Sequence, residues 1–64
     1  MPLRLIKRKE VENITTLSTA SIYRLMAEGK FPKQINISDR SVAWNFSDIN
    51  DWVEQKIADS SNAA

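Results

Sequence analysis

Arg24 carries the most informative chemistry in this sequence, and that chemistry is hydrogen bonding. A guanidinium can bond the edge of a guanine bidentately, or grip a phosphate. The residues around it define the surface it belongs to. Ser18 suits a helix N-cap, because its hydroxyl can accept from a free backbone N–H of the first turn. Gly29 suits the left-handed position that ends a helix. Between them Ile22, Leu25 and Met26 fall at i, i+3 and i+4, which is one apolar stripe. At about 100° per residue, Ala20, Arg24 and Ala27 lie opposite that stripe, flanked by Ser21 and Tyr23. The outer face therefore offers small residues, hydroxyls, one aromatic ring and one Arg. Small residues permit close approach, so this face fits a DNA major groove. It equally fits the surface of any small helical protein, and periodicity alone does not choose.

Composition narrows the choice. The chain has 64 residues with no cysteine and no histidine. It is read as one domain over residues 1–64, with a small core and a loosely ordered leader (1–5) and tail (58–64). Disulfides, Cys/His zinc sites and Cys–His nucleophiles are excluded. No run approaches the roughly 20 apolar residues of a membrane span. No signal-peptide pattern opens the sequence, so a cytoplasmic location is expected. The carboxylates fall at helix starts and on polar helix faces, and the only glycine leaves no phosphate-cradling loop. No enzymatic activity, cofactor or metal is expected. Charge is uneven: residues 1–33 hold seven Lys and Arg against three Glu, and residues 34–64 hold two against five acids. One basic and one acidic surface follow, and a polyanion favours the first.

The elements that must position Arg24 can be placed around it. A short helix is expected over Lys9 to Ile14, with Val11 and Ile14 as its apolar pair and Leu17 closing over it. Thr15-Thr16-Leu17 forms the turn, giving a helix-turn-helix pattern. The preceding Lys7-Arg8-Lys9 run reads as a solvated helix start, with non-specific phosphate contacts as the alternative. Pro32 cannot continue a helix and pushes Phe31 towards extended geometry, leaving Lys30 and Lys33 free to reach a phosphate. Ile35 and Ile37, then Val42, Trp44 and Phe46, alternate with polar residues around Ser38-Asp39-Arg40-Ser41. This is a β-hairpin with one buried face. Arg40 at its tip is either a solvated turn residue or the contact point of a wing. Ser47 is read as the N-cap of a last helix, with Ile49, Trp52, Val53 and Ile57 along its core face. Trp44 and Trp52 are read as core.

Quoted together, Leu17-Ser18, Ser21-Ile22-Tyr23-Arg24-Leu25, Gly29-Lys30-Phe31-Pro32-Lys33, Arg40-Ser41-Val42-Ala43-Trp44 and Ile49-Asn50-Asp51-Trp52 resemble the AlpA family of phage and prophage regulators. The resemblance runs from about Leu5 to Ile57. It implies an α+β, mostly α fold, a small winged helix-turn-helix of MerR-like or excisionase-like type. That fold has two short helices, a β-hairpin wing and a C-terminal support helix. It also implies double-stranded DNA as partner, with the helix of Ser21, Tyr23 and Arg24 in the major groove and Arg40 at the next groove or backbone. Four positions depart from the family pattern. Thr16 stands where a glycine is usual and tolerates left-handed geometry poorly. Ser38-Asp39 replaces a glycine-rich wing turn, and Asp39 weakens phosphate attraction beside Arg40. Gln34 replaces a proline.

The expected DNA-binding set is Ser18, Thr19, Ala20, Ser21, Tyr23, Arg24, Lys30, Lys33 and Arg40. Thr19, Ala20, Ser21 and Arg24 would face base edges. Tyr23, Lys30 and Lys33 would hold the backbone, and Arg40 would position the wing. One such module buries only about 600–1,000 Å² of protein surface on DNA, so repeated sites or self-association on DNA are expected. Integrase and RNA polymerase are the protein partners the resemblance brings into view. The expected role is transcriptional regulation of an integrase gene or similar. The alternatives are a recombination directionality factor and a protein-interaction module acting through the acidic Asp51/Glu54 face.

Overall fold

A computed structural model describes residues 3–62. Met1 and Pro2 of the expected leader, and Ala63 and Ala64 of the expected tail, lie outside the described residues. The elements run β1 (Leu5–Ile6), α1 (Arg8–Thr15), α2 (Thr19–Ala27), β2 (Ile35–Ser38), β3 (Ser41–Asn45) and α3 (Phe46–Asn62). The strands form an antiparallel sheet in the order β1-β3-β2. Three helices and a small sheet make the fold α+β and mostly α, a winged helix-turn-helix.

The core collects residues from every part of the chain: Ile6, Val11, Ile22, Phe31, Trp44 and Ile49. Trp44, Ile22, Ile49 and Val11 are the largest fully buried side chains. Ile14, Leu17, Leu25 and Met26 pack around this centre, as the apolar stripes of α1 and α2 require. The sheet joins the helices through β3, on which both α1 and α3 pack. Ile6 pairs with Trp44, and the Phe46 N–H donates to the Arg4 carbonyl at 2.8 Å, so the N-terminal segment ties down the start of α3.

Several expectations change at this level. Helix α1 is one residue longer at each end than Lys9–Ile14. Of the expected leader, Leu3 and Leu5 are exposed, Leu5 pairs with Asn45 in β1, and burial begins at Ile6. The hairpin forms, yet it has no common buried face through Ile35, Ile37, Val42, Trp44 and Phe46. Ile35 and Ile37 are exposed, because the helices α1 and α3 pack on β3 rather than on β2. A register irregularity between Asn36 and Ser38 further breaks the alternation. Phe46 leaves the strand and opens α3. The cap of that helix is Asn45, whose Oδ1 accepts from the Ser47 N–H at 3.0 Å, so Ser47 lies inside the first turn. Asn and Ser are comparable caps, and the strand's end decides between them. Helix α3 then continues to Asn62. At 17 residues it is about 25 Å long and outruns the core, which leaves Ile57 exposed. Ala58 to Ser61 are likewise exposed and held by the helix backbone.

The turn between α1 and α2 is strained at one residue. Thr16 takes a left-handed backbone with φ +63°, while its N–H donates to the Glu12 carbonyl at 2.7 Å and ends α1. A β-branched side chain in this region costs about 1–2 kcal/mol, and glycine loses part of that advantage through the freedom of its unfolded chain. Thr16→Gly is therefore expected to stabilise the fold by about 1 kcal/mol, raising the melting temperature by roughly 4–8 °C. A calorimetric melt checks this. An unchanged or lower midpoint would mean that the Thr16 hydroxyl, which donates to the Thr15 carbonyl, offsets the strain.

Candidate nucleic-acid interface

Helix α2 is fixed at both ends before its outer face is considered. The Ser18 hydroxyl accepts from the Ser21 N–H at 3.2 Å and donates to the Ser21 hydroxyl at 3.0 Å. At the other end the Lys30 N–H donates to the Leu25 carbonyl (2.8 Å) and the Gly29 N–H to the Met26 carbonyl (3.1 Å). With Gly29 at φ +71°, this pair of bonds is a Schellman motif, which satisfies carbonyls the last turn would leave unpaired. Both sequence-expected caps are therefore in place.

The angle between the two helices has a side-chain lock. Thr19 Oγ1 donates to Glu12 Oε2 at 2.6 Å, and the same carboxylate oxygen lies 3.3 Å from Arg8 Nε. Thr19 is thus half-buried and engaged inside the protein, where a base-facing hydroxyl is expected from its helical position. Sequence spacing could not reveal this bond, because it joins residues seven apart across a left-handed turn.

The inner face of α2 is held by the fully buried Ile22, with Leu25 and Met26 half-buried beside it. Ala20, Tyr23, Arg24 and Ala27 are exposed, and Ser21 is half-buried. Arg24 forms no ion pair among the described residues, so its whole guanidinium fork is free to meet a ligand.

Lys30 and Lys33 follow on a connection that two tryptophans pin. Trp52 Nε1 donates to the Lys30 carbonyl at 2.8 Å, and Trp44 Nε1 to the Pro32 carbonyl at 3.2 Å. Phe31 is buried between them, its ring 4.8 Å from that of Trp52 at 66°. An edge-to-face pair of this kind adds about 0.5–1.5 kcal/mol beyond burial. The backbone of 30–32 is therefore rigid while both Lys side chains stay exposed. Lys30 Nζ lies 3.9 Å from Glu28, a loose surface pair, and Lys33 has no ion pair among the described residues. Arg40 is exposed at the β2–β3 turn, also unpaired among them. The structure thus brings Ser18 to Arg24 together on one helix, attaches Lys30 and Lys33 directly after it, and carries Arg40 on a separate element.

No helix of the described residues is long and apolar enough to cross a membrane. Known proteins add a family to this geometry. Residues 4–57 match the family model described as prophage CP4-57 regulatory protein (AlpA). The chain is also 34% identical over 55 residues to an uncharacterized protein, ORF88, of Enterobacteria phage P4. That alignment covers 86% of this chain and 62% of the phage protein, so the chain spans somewhat under two thirds of the relative's length. With the family match running from β1 into α3, through both helices of the turn and the wing, the chain belongs to the prophage CP4-57 regulatory protein (AlpA) family.

Proposed function

We propose that this chain is a sequence-specific DNA-binding regulator of a prophage or integrative element, with α2 in the major groove and the β2–β3 turn as its wing. The observation that carries this reading is the outer face of α2. Arg24, without an ion pair among the described residues, stands among Ala20, Ala27 and Ser21 on a helix locked at both ends. Small residues admit the groove wall, and the guanidinium supplies the base contact. Tyr23, Lys30 and Lys33 hold the backbone and Arg40 positions the wing. Ser18 and Thr19 act indirectly, by fixing the start of α2. The 64 residues act as a single module in the cytoplasm, at the nucleoid when bound. A module this size buries about 600–1,000 Å² on DNA, so copies bind side by side on repeated sites. Integrase or RNA polymerase would be the protein neighbour, according to where those sites fall.

The test is capture of fragmented genomic DNA by the purified protein, followed by sequencing. Recovery of a promoter-proximal site, such as that of an integrase gene, is the expected result and makes the protein a transcription regulator. A cluster of repeats inside an attachment region would instead make it a recombination directionality factor. No enrichment at moderate salt would overturn the DNA-binding reading and favour a protein-interaction module acting through the exposed Asp51 and Glu54.

A further inference from the structure

Lys7, Arg8 and Lys9 meet the tip of the wing. Together with Arg40, Ser41 and Val42 they line an open cleft of about 260 Å³ between the start of α1 and the β2–β3 turn. From this juxtaposition we infer that the wing and α1 form one clamp for a backbone phosphate of nucleic acid, and that the wing does not read bases. The inference rests on the DNA-binding reading above and assigns one of its contacts.

Charge points to an anion. Four cationic side chains share the cleft, and among the described residues only Arg8 of the four is paired, to Glu12. Lys7, Lys9 and Arg40 have no ion pair among the described residues. Like charges around one cleft repel one another, and an anion seated among them relieves that repulsion; Asp39, next to Arg40, lies outside the lining. The helix end acts in the same sense. Lys7 is the N-cap of α1 and makes no side-chain cap; the Glu10 N–H donates to the Lys7 carbonyl at 3.0 Å, and the Arg8 and Lys9 amides of the first turn keep their capacity to donate.

The lining also says which part of a nucleic acid fits. It contains no aromatic ring on which a base could stack and no carboxylate to repel a phosphate, and one of its two guanidinium groups, that of Arg8, is already held by Glu12. Its volume is below that of a typical small-molecule pocket, which runs to about 300–1,000 Å³. A phosphodiester needs only charge and N–H donors, and this cleft supplies both. Sequence spacing keeps the Lys7-Arg8-Lys9 run and Arg40 apart, since 31 positions separate Lys9 from Arg40. Antiparallel pairing of β1 and β2 with the central β3 brings them together.

The experiment is fluorescence anisotropy of the full chain on duplex DNA of several sequences, across a salt series. The doubly substituted Lys7→Gln, Lys9→Gln protein and Arg40→Gln are each expected to reduce the log–log salt slope by about 0.9 for every phosphate no longer neutralised. Affinity should fall on every sequence alike, and the triple variant should show a smaller effect than the two combined, because one phosphate is shared. A second measurement needs no substitution: backbone amide resonances of Lys9 and Ser41 should shift together when duplex DNA is added. If the parent binds DNA and Arg24→Ala weakens it while the cleft variants keep the full slope and the resonances stay still, the clamp alone is wrong. A cleft variant that changes the order of preference among sequences would also overturn it, by making the wing a base reader. A parent protein that binds no duplex DNA removes both readings.

Discussion

Trp44→Ala is expected to leave little native protein at 37 °C. Trp44 is fully buried at the centre of the core and also supplies the N–H that satisfies the Pro32 carbonyl. Truncating a buried tryptophan costs about 3–5 kcal/mol, and a chain of this size has a total stability near the lower end of the usual 5–15 kcal/mol. Urea denaturation followed by circular dichroism measures the loss directly. Trp44→Phe separates the two contributions: it keeps most of the apolar volume and removes the bond to Pro32, for a smaller loss of about 1–2 kcal/mol. A Trp44→Ala protein that melts within a few degrees of the parent would show that the helices and sheet are held elsewhere than through β3.

Arg24→Ala should do the reverse, preserving the fold and removing recognition. The side chain is exposed and makes no ion pair among the described residues, so stability should change by no more than about 0.5 kcal/mol. Affinity for the captured site should fall by about 1–3 kcal/mol, roughly five- to 150-fold, if the guanidinium makes a bidentate base contact. Arg24→Lys keeps the charge and loses the fork. It should therefore bind random-sequence DNA as the parent does while losing most of its preference for the captured site. Equal behaviour of the parent and Arg24→Lys on both DNAs would move Arg24 from a base edge to a phosphate.

What the sequence discloses, and what it hides, follows the range of the interactions. Ser18, Gly29 and the Ile22/Leu25/Met26 stripe act within one helix, and each is found where spacing places it. The hairpin is legible as two alternating runs, because strand pairing leaves a local pattern. Its burial is not legible: Ile35 and Ile37 are exposed because the helices pack on β3, a fact of how whole elements are placed. Asn45 is hidden as a cap because it is also the last residue of β3, paired with Leu5. The Thr19–Glu12 bond and the meeting of Lys7 and Lys9 with Arg40 depend on how whole elements are placed. No local spacing encodes them.

The lock on α2 has a consequence for how such a protein can diverge. Ser18, Thr19, Ile22 and Gly29 fix the helix, while Ala20, Tyr23, Arg24 and Ala27 face outward and take no part in fixing it. The two groups share no residue. Substitutions in the outward group can accumulate without eroding the melting temperature, and substitutions in the inner group would erode it without creating a new preference. On the proposed DNA-binding reading, a protein built this way can change its target in single steps, each one a folded protein. A selection experiment randomising only positions 20, 23, 24 and 27 would explore new targets on an unaltered scaffold.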